Sequence, residues 1–127
     1  MSIQKTILLV EDDEDVLCVF KDILIRNGYN ILSTSSPLEA IQIAESYEGE
    51  INLLFTDVIM PQMSGMDLSR KLSSIREKMP TLFMSGYFDG ILSDGISLDE
   101  LNFIYKPFSI KALISKVETV MTPPTPQ

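Results

Sequence analysis

The feature that most restricts this chain is an alternation: strand-length apolar runs are separated by longer segments in which apolar residues recur at helical spacing. Thr6–Val10 is a continuous run of this kind, and a strand without a polar face is buried on both sides of a sheet. It leads into the acidic string Glu11-Asp12-Asp13-Glu14-Asp15. Val16, Phe20, Ile23 and Leu24 then fall at helical spacing until Asn27-Gly28 stops the helix. Residues 29–33 form a second short strand. Ser36-Pro37 supplies an N-cap and a first helical residue, and Glu39 completes a capping box, so a helix is predicted to run to about Tyr47, before Gly49. The third strand, 51–56, is followed by Asp57 and a loop over 58–65 that contains Pro61. Leu68, Leu72 and Ile75 mark a third helix, and Pro80 opens a fourth strand at 81–84. Residues 102–105 form the fifth strand, Lys106-Pro107 breaks it, and Ser109 caps a last helix carrying Ile110, Leu113, Ile114, Val117 and Met121. The stretch 86–101 is rich in Gly and Asp, so a short or irregular helix of low local stability is expected there. Residues 122–127, with three prolines, read as a tail or linker after a single domain over 1–121.

Buried parallel strands joined by right-handed helical crossovers make a doubly wound sheet with helices on both faces. At 127 residues such a domain buries a core without disulfide or metal staples. Ligands bind these sheets at the carboxyl ends of the strands, where the strand order reverses. The polar residues at those ends belong together: Glu11 and Asp12 after the first strand, Asp57 after the third, Ser85 after the fourth and Lys106 after the fifth. Three converging carboxylates repel one another unless a cation joins them or a proton stays on. Mg²⁺ suits such a set, because it takes hard oxygen ligands and keeps positions open for phosphoryl oxygens; the carbonyl of Ile59 is the expected backbone contributor. Lys106 adds a fixed positive charge and Ser85 a hydroxyl donor. A carboxylate so flanked is arranged for phosphoryl transfer onto itself, with Asp57 as the nucleophile. No phosphate-binding G-x-x-x-x-G-K-[ST] loop is present, so the phosphoryl group must arrive on a partner or a small-molecule donor.

Composition closes other routes. With Lys+Arg 10 against Asp+Glu 18 the net charge is −8, which repels phosphate backbones, so direct nucleic-acid binding is not expected. The histidine count is zero, which excludes a His-dependent triad, a His-ligated zinc and a phosphohistidine of the chain's own. Cys18 stands alone, consistent with a reducing compartment, and no apolar run approaches a membrane span; a cytoplasmic location is expected.

Five segments in register carry a family resemblance: Leu8-Leu9-Val10-Glu11-Asp12-Asp13, Thr56-Asp57-Val58-Ile59-Met60-Pro61, Met63-Ser64-Gly65, Phe83-Met84-Ser85-Gly86-Tyr87 and Lys106-Pro107-Phe108. Together they resemble the receiver domains of two-component response regulators. The resemblance implies a flavodoxin-like (βα)5 fold with strand order 2-1-3-4-5 and no enzymatic turnover beyond self-catalysed aspartyl phosphorylation and dephosphorylation. It implies Asp57 as phosphoacceptor, and Mg²⁺ held by Glu11, Asp12, Asp57 and the Ile59 carbonyl. Lys106 would pair with the phosphate, Ser85 and Phe103 would be the switch residues, and Lys106-Pro107 would carry a cis bond. The implied partners are a histidine kinase or histidine phosphotransfer domain, docking near the first helix and the loop after the fifth strand, and a downstream effector protein. The wording around Ser85 and over 60–68 is most similar to receivers of hybrid sensor kinases, so the domain is expected alone or within a membrane-attached hybrid kinase. Two positions depart from the family pattern: Ile59, where a polar or acidic residue is frequent, and Tyr87, two after Ser85. This apolar and bulky pair is expected to hinder an attacking water and prolong the acyl phosphate.

Two rival readings remain at this level. Asp13-Glu14-Asp15 is a D-x-D after the first strand, similar to haloacid-dehalogenase-type phosphatases, but Val16 stands where that family carries Thr and no cap insertion exists. A degenerate receiver that only docks is the other.

Overall fold

In the computed structural model, which describes residues 4–85 and 102–122, the apolar runs become five parallel strands. They are β1 (Thr6–Val10), β2 (Asn30–Thr34), β3 (Leu53–Asp57), β4 (Thr81–Ser85) and β5 (Phe103–Tyr105), in the order β2-β1-β3-β4-β5. This is the doubly wound, flavodoxin-like sheet. Four helices are described: α1 (Glu14–Arg26), α2 (Pro37–Ser46), α3 (Gly65–Ser73) and α4 (Ile110–Met121). The helix expected in 86–101, the side chain of Tyr87 and the tail beyond Thr122 lie outside the described residues.

Strand periodicity divides the core into two layers. Ile7, Leu9, Leu53, Phe55, Leu82 and Met84 point to one face, where Leu24 of α1 and Leu113 and Val117 of α4 cover them. Leu8, Val10 and Leu54 point to the other, against Ala40 and Ala44 of α2 and Leu68 and Leu72 of α3. Both faces are therefore dry, which is why β1 is apolar from Ile7 to Val10.

Helix starts follow their caps. Asp13 accepts from the N–H groups of Asp15 and Val16, Ser36 from Glu39, Ser64 from Asp67 and Ser109 from Ala112. Gly28, at φ 95°, supplies the left-handed turn after α1. Several boundaries differ from expectation by a residue or two. The side chain of Asn52 accepts from Thr6 N–H at 2.8 Å, closing the base of the sheet, so β3 begins at Leu53. Asp57 and Ser85 are the last residues of their strands and do not follow them, because the ladder continues through Asp57 beside Met84 and Ser85 beside Tyr105. Ile75 lies past α3, where its N–H turns tightly back to Leu72 O. The Lys106-Pro107 bond is cis.

Candidate functional site

Each candidate side chain leaves the carboxyl edge of the sheet at a place fixed by backbone pairing. Glu11 directly follows β1, is 1% exposed, and donates its N–H to Thr34 O at 3.2 Å. Asp57 ends the central strand β3 and is 8% exposed; the next N–H, that of Val58, donates to Met84 O at 3.0 Å. Lys106 follows β5, its N–H held by Ser85 O at 2.8 Å.

These positions bring the charged groups together. Lys106 Nζ donates to Glu11 Oε1 at 2.9 Å and lies 3.3 Å from Asp57 Oδ1. Carboxylate oxygens of Glu11, Asp12 and Asp57 lie within 4.8 Å of one another, with Asp12 exposed at the rim. Ser85 is buried at the end of the strand next to Asp57. Ile59 sits two residues beyond Asp57 with its side chain 59% exposed. Phe103 is half-buried, its ring between those of Phe83 and Tyr105 at centroid separations of 5.4 and 6.1 Å.

One ammonium does not balance three acids. Burial, with Glu11 as neighbour, pushes the Asp57 carboxyl up to about 8, and Lys106 only partly opposes this. Burial also acts on Glu11, but hydrogen bonding with Asp57 and Lys106, together with the lysine's charge, outweighs it and leaves Glu11 below the usual carboxylate range. Asp12 is raised by burial and by Glu11. Burial would lower Lys106, yet its two acidic partners hold it above the ordinary lysine value. Hard oxygen donors with unmet negative charge fit a small divalent cation, so Glu11, Asp12 and Asp57 are the group suited to Mg²⁺.

Asp13 has a different task. Its carboxylate caps α1, at 3.0 Å from Asp15 N and 3.2 Å from Val16 N, and it does not join the acidic cluster. The D-x-D reading therefore loses its nucleophile to a helix cap. Thr56 is a residue that sequence reasoning missed: fully buried, it donates its hydroxyl to the carbonyl of Asp57 at 3.0 Å. A hydroxyl inside an otherwise apolar strand, one residue before the acid, was the available signal.

Comparison with known proteins identifies the family and the fold. The response regulator receiver domain family matches residues 7–118. Sensor kinase CckA of Brucella abortus (strain 2308) is 33% identical over 117 residues, covering 91% of this chain and 12% of that protein. The response regulator receiver protein CpdR of the same organism is 28% identical over 118 residues, 92% of this chain and 97% of that one. A crystal structure of the receiver domain from hybrid histidine kinase CckA superimposes with a TM-score of 0.77 at 35% identity, covering 92% of this chain and 99% of that one.

Proposed function

We propose, because this chain belongs to the response regulator receiver domain family, that it is a phosphoacceptor of two-component signalling with Asp57 as its acceptor. The observation that carries the reading is the single pocket in which Asp57, Glu11 and Asp12 meet beside Lys106 Nζ. Glu11, Asp12, Asp57 and the main-chain carbonyl of Ile59 would hold Mg²⁺. A bound Mg²⁺ supplies neutralisation of charge on the phosphoryl oxygens.

The chain contains no histidine, so a phosphohistidine must come from a histidine kinase or phosphotransfer domain. An Asp57 carboxylate oxygen attacks phosphorus as the P–N bond breaks; the electron pair stays on that imidazole nitrogen, and a proton carried on the other ring nitrogen makes the departing histidine neutral, leaving an acyl phosphate on Asp57. Lys106 stands beside the charge that develops. A groove of about 350 Å³ lined by Val16, Val19, Phe20, Pro107 and Phe108 runs past Lys106 and offers the donor an apolar seat between α1 and the loop after β5. The new dianion then favours one of two arrangements around Ser85 and Phe103, altering affinity for an effector protein.

Treatment with acetyl phosphate and Mg²⁺, followed by intact-mass measurement, tests the assignment. Wild type should gain one phosphoryl adduct and Asp57→Asn none. No adduct on wild type, or an equal yield on the variant, overturns it.

A further inference from the structure

We propose that Gly65 and Thr56 are positioning residues for the acceptor: the bare Cα of Gly65 lets α3 close on the main-chain carbonyl of Asp57, and this closure sets where the carboxylate stands. The inference rests on the reading of Asp57 as acceptor. Gly65 N–H donates to Val58 O at 2.7 Å, drawing the first residue of α3 onto the end of β3. A Cβ on Gly65 would lie 2.9 Å from the carbonyl carbon of Asp57, closer still to its oxygen, and 3.2 Å from Thr56 Cγ2. Gly65 does not have a positive φ, so its backbone suits any residue; what it supplies is space. Alanine there would improve helix propensity, and only the close approach opposes it.

Neither side of that contact moves freely. Leu68 and Leu72, with no exposed surface, anchor α3 in the core, and Val58 N–H ties the chain after Asp57 to Met84 O. Between these anchors the Asp57 carbonyl is held by the Thr56 hydroxyl at 3.0 Å, and the same hydroxyl lies 3.9 Å from Sδ of Met60, which plugs the loop. Relief of a Cβ clash falls on the Asp57 peptide, and with it on a carboxylate that stands 3.3 Å from Lys106 Nζ. Misplacement of a reacting group by about 1 Å can cost on the order of a hundredfold in rate.

The experiment measures the rate constant for phosphorylation by acetyl phosphate at saturating Mg²⁺, at a temperature where every variant is folded. Gly65→Ala should lower it by about tenfold to a hundredfold. Gly28→Ala is the control: it strains a turn at φ 95° with nothing within 4 Å of the new methyl, so it should lower the melting temperature and leave the rate unchanged. Adding Thr56→Ser to Gly65→Ala removes the Cγ2 contact but not the carbonyl clash, and should not restore the rate. A wild-type rate in Gly65→Ala, or restoration by Thr56→Ser, overturns the proposal. Should Gly65→Ala not fold, Thr56→Val decides: it keeps the shape and loses the hydroxyl, and an undiminished rate overturns the proposal. If wild type itself takes no phosphoryl group, the acceptor reading fails, whereas positioning is still judged by the Lys106–Asp57 separation in a crystal structure of Gly65→Ala.

Discussion

Lys106 Nζ serves two carboxylates at once, yet burial and the neighbouring Glu11 still push the Asp57 carboxyl up to about 8. The sign of the consequence is fixed. Between the ordinary aspartate range and about 8, the folded protein holds a proton that the unfolded chain has released, so stability falls as pH rises through that window. The slope is at most about 1.4 kcal/mol per pH unit. Glu11 acts in the opposite sense and only at acid pH, where its stabilisation is lost as it protonates. Urea denaturation in chelator at two pH values inside the window should give the lower midpoint at the higher pH, with Asp57→Asn flattening the difference; a midpoint that rises with pH contradicts it. The expectation that Ile59 hinders an attacking water concerns a side chain that is exposed two residues after the acceptor. Ile59→Asn should speed loss of the phosphoryl group by about three- to tenfold, and equal half-lives would sink the idea. Glu11, Asp12, Asp57, Ser85 and Lys106 were legible in the sequence because each stands where an apolar run ends. Thr56 and Gly65 were visible as residues of the motif, but their contacts with the Asp57 carbonyl were not, since a close approach across the 58–65 loop leaves no periodic trace.

Among the elements, the joint between α2 and β3 depends on a residue from elsewhere in the chain. Arg76, beyond α3, donates Nε to Ala44 O at 2.9 Å, Nη1 to Gly49 O at 2.8 Å and Nη2 to Tyr47 O. One guanidinium thus caps a carbonyl in the last turn of α2 and two more just after it. Arg76→Ala should cost about 1 to 3 kcal/mol in urea denaturation and leave the phosphorylation rate unchanged, because the clamp lies at the opposite end of the sheet from Asp57. Helix starts were readable from Ser36-Pro37 and Ser109, whose chemistry is local. The Arg76 clamp was not, because nothing near Arg76 in sequence names carbonyls 27 to 32 residues away. The same reason explains the start of β3, which is decided by the reach of Asn52 to Thr6, 46 residues distant.

For the molecule as a whole, the alternation of apolar runs determined the layered sheet, since strands buried on both faces leave little choice of architecture. Cation binding should be linked to global stability, because the three acids converge only when β1 and β3 are paired. Mg²⁺ at about a hundred times its dissociation constant should add about 2.7 kcal/mol, read as a raised melting temperature. Asp12→Ala should lose most of that gain, and an equal rise in the variant would place the cation elsewhere. The ammonium that completes the pocket lies 95 residues along the chain from its partner Glu11. During synthesis the acids therefore emerge from the ribosome well before their counter-charge, and at about 5 to 20 residues per second the delay lasts several seconds. The charged pocket is thus complete only once β5 has joined the sheet and carried Lys106 to Glu11 and Asp57.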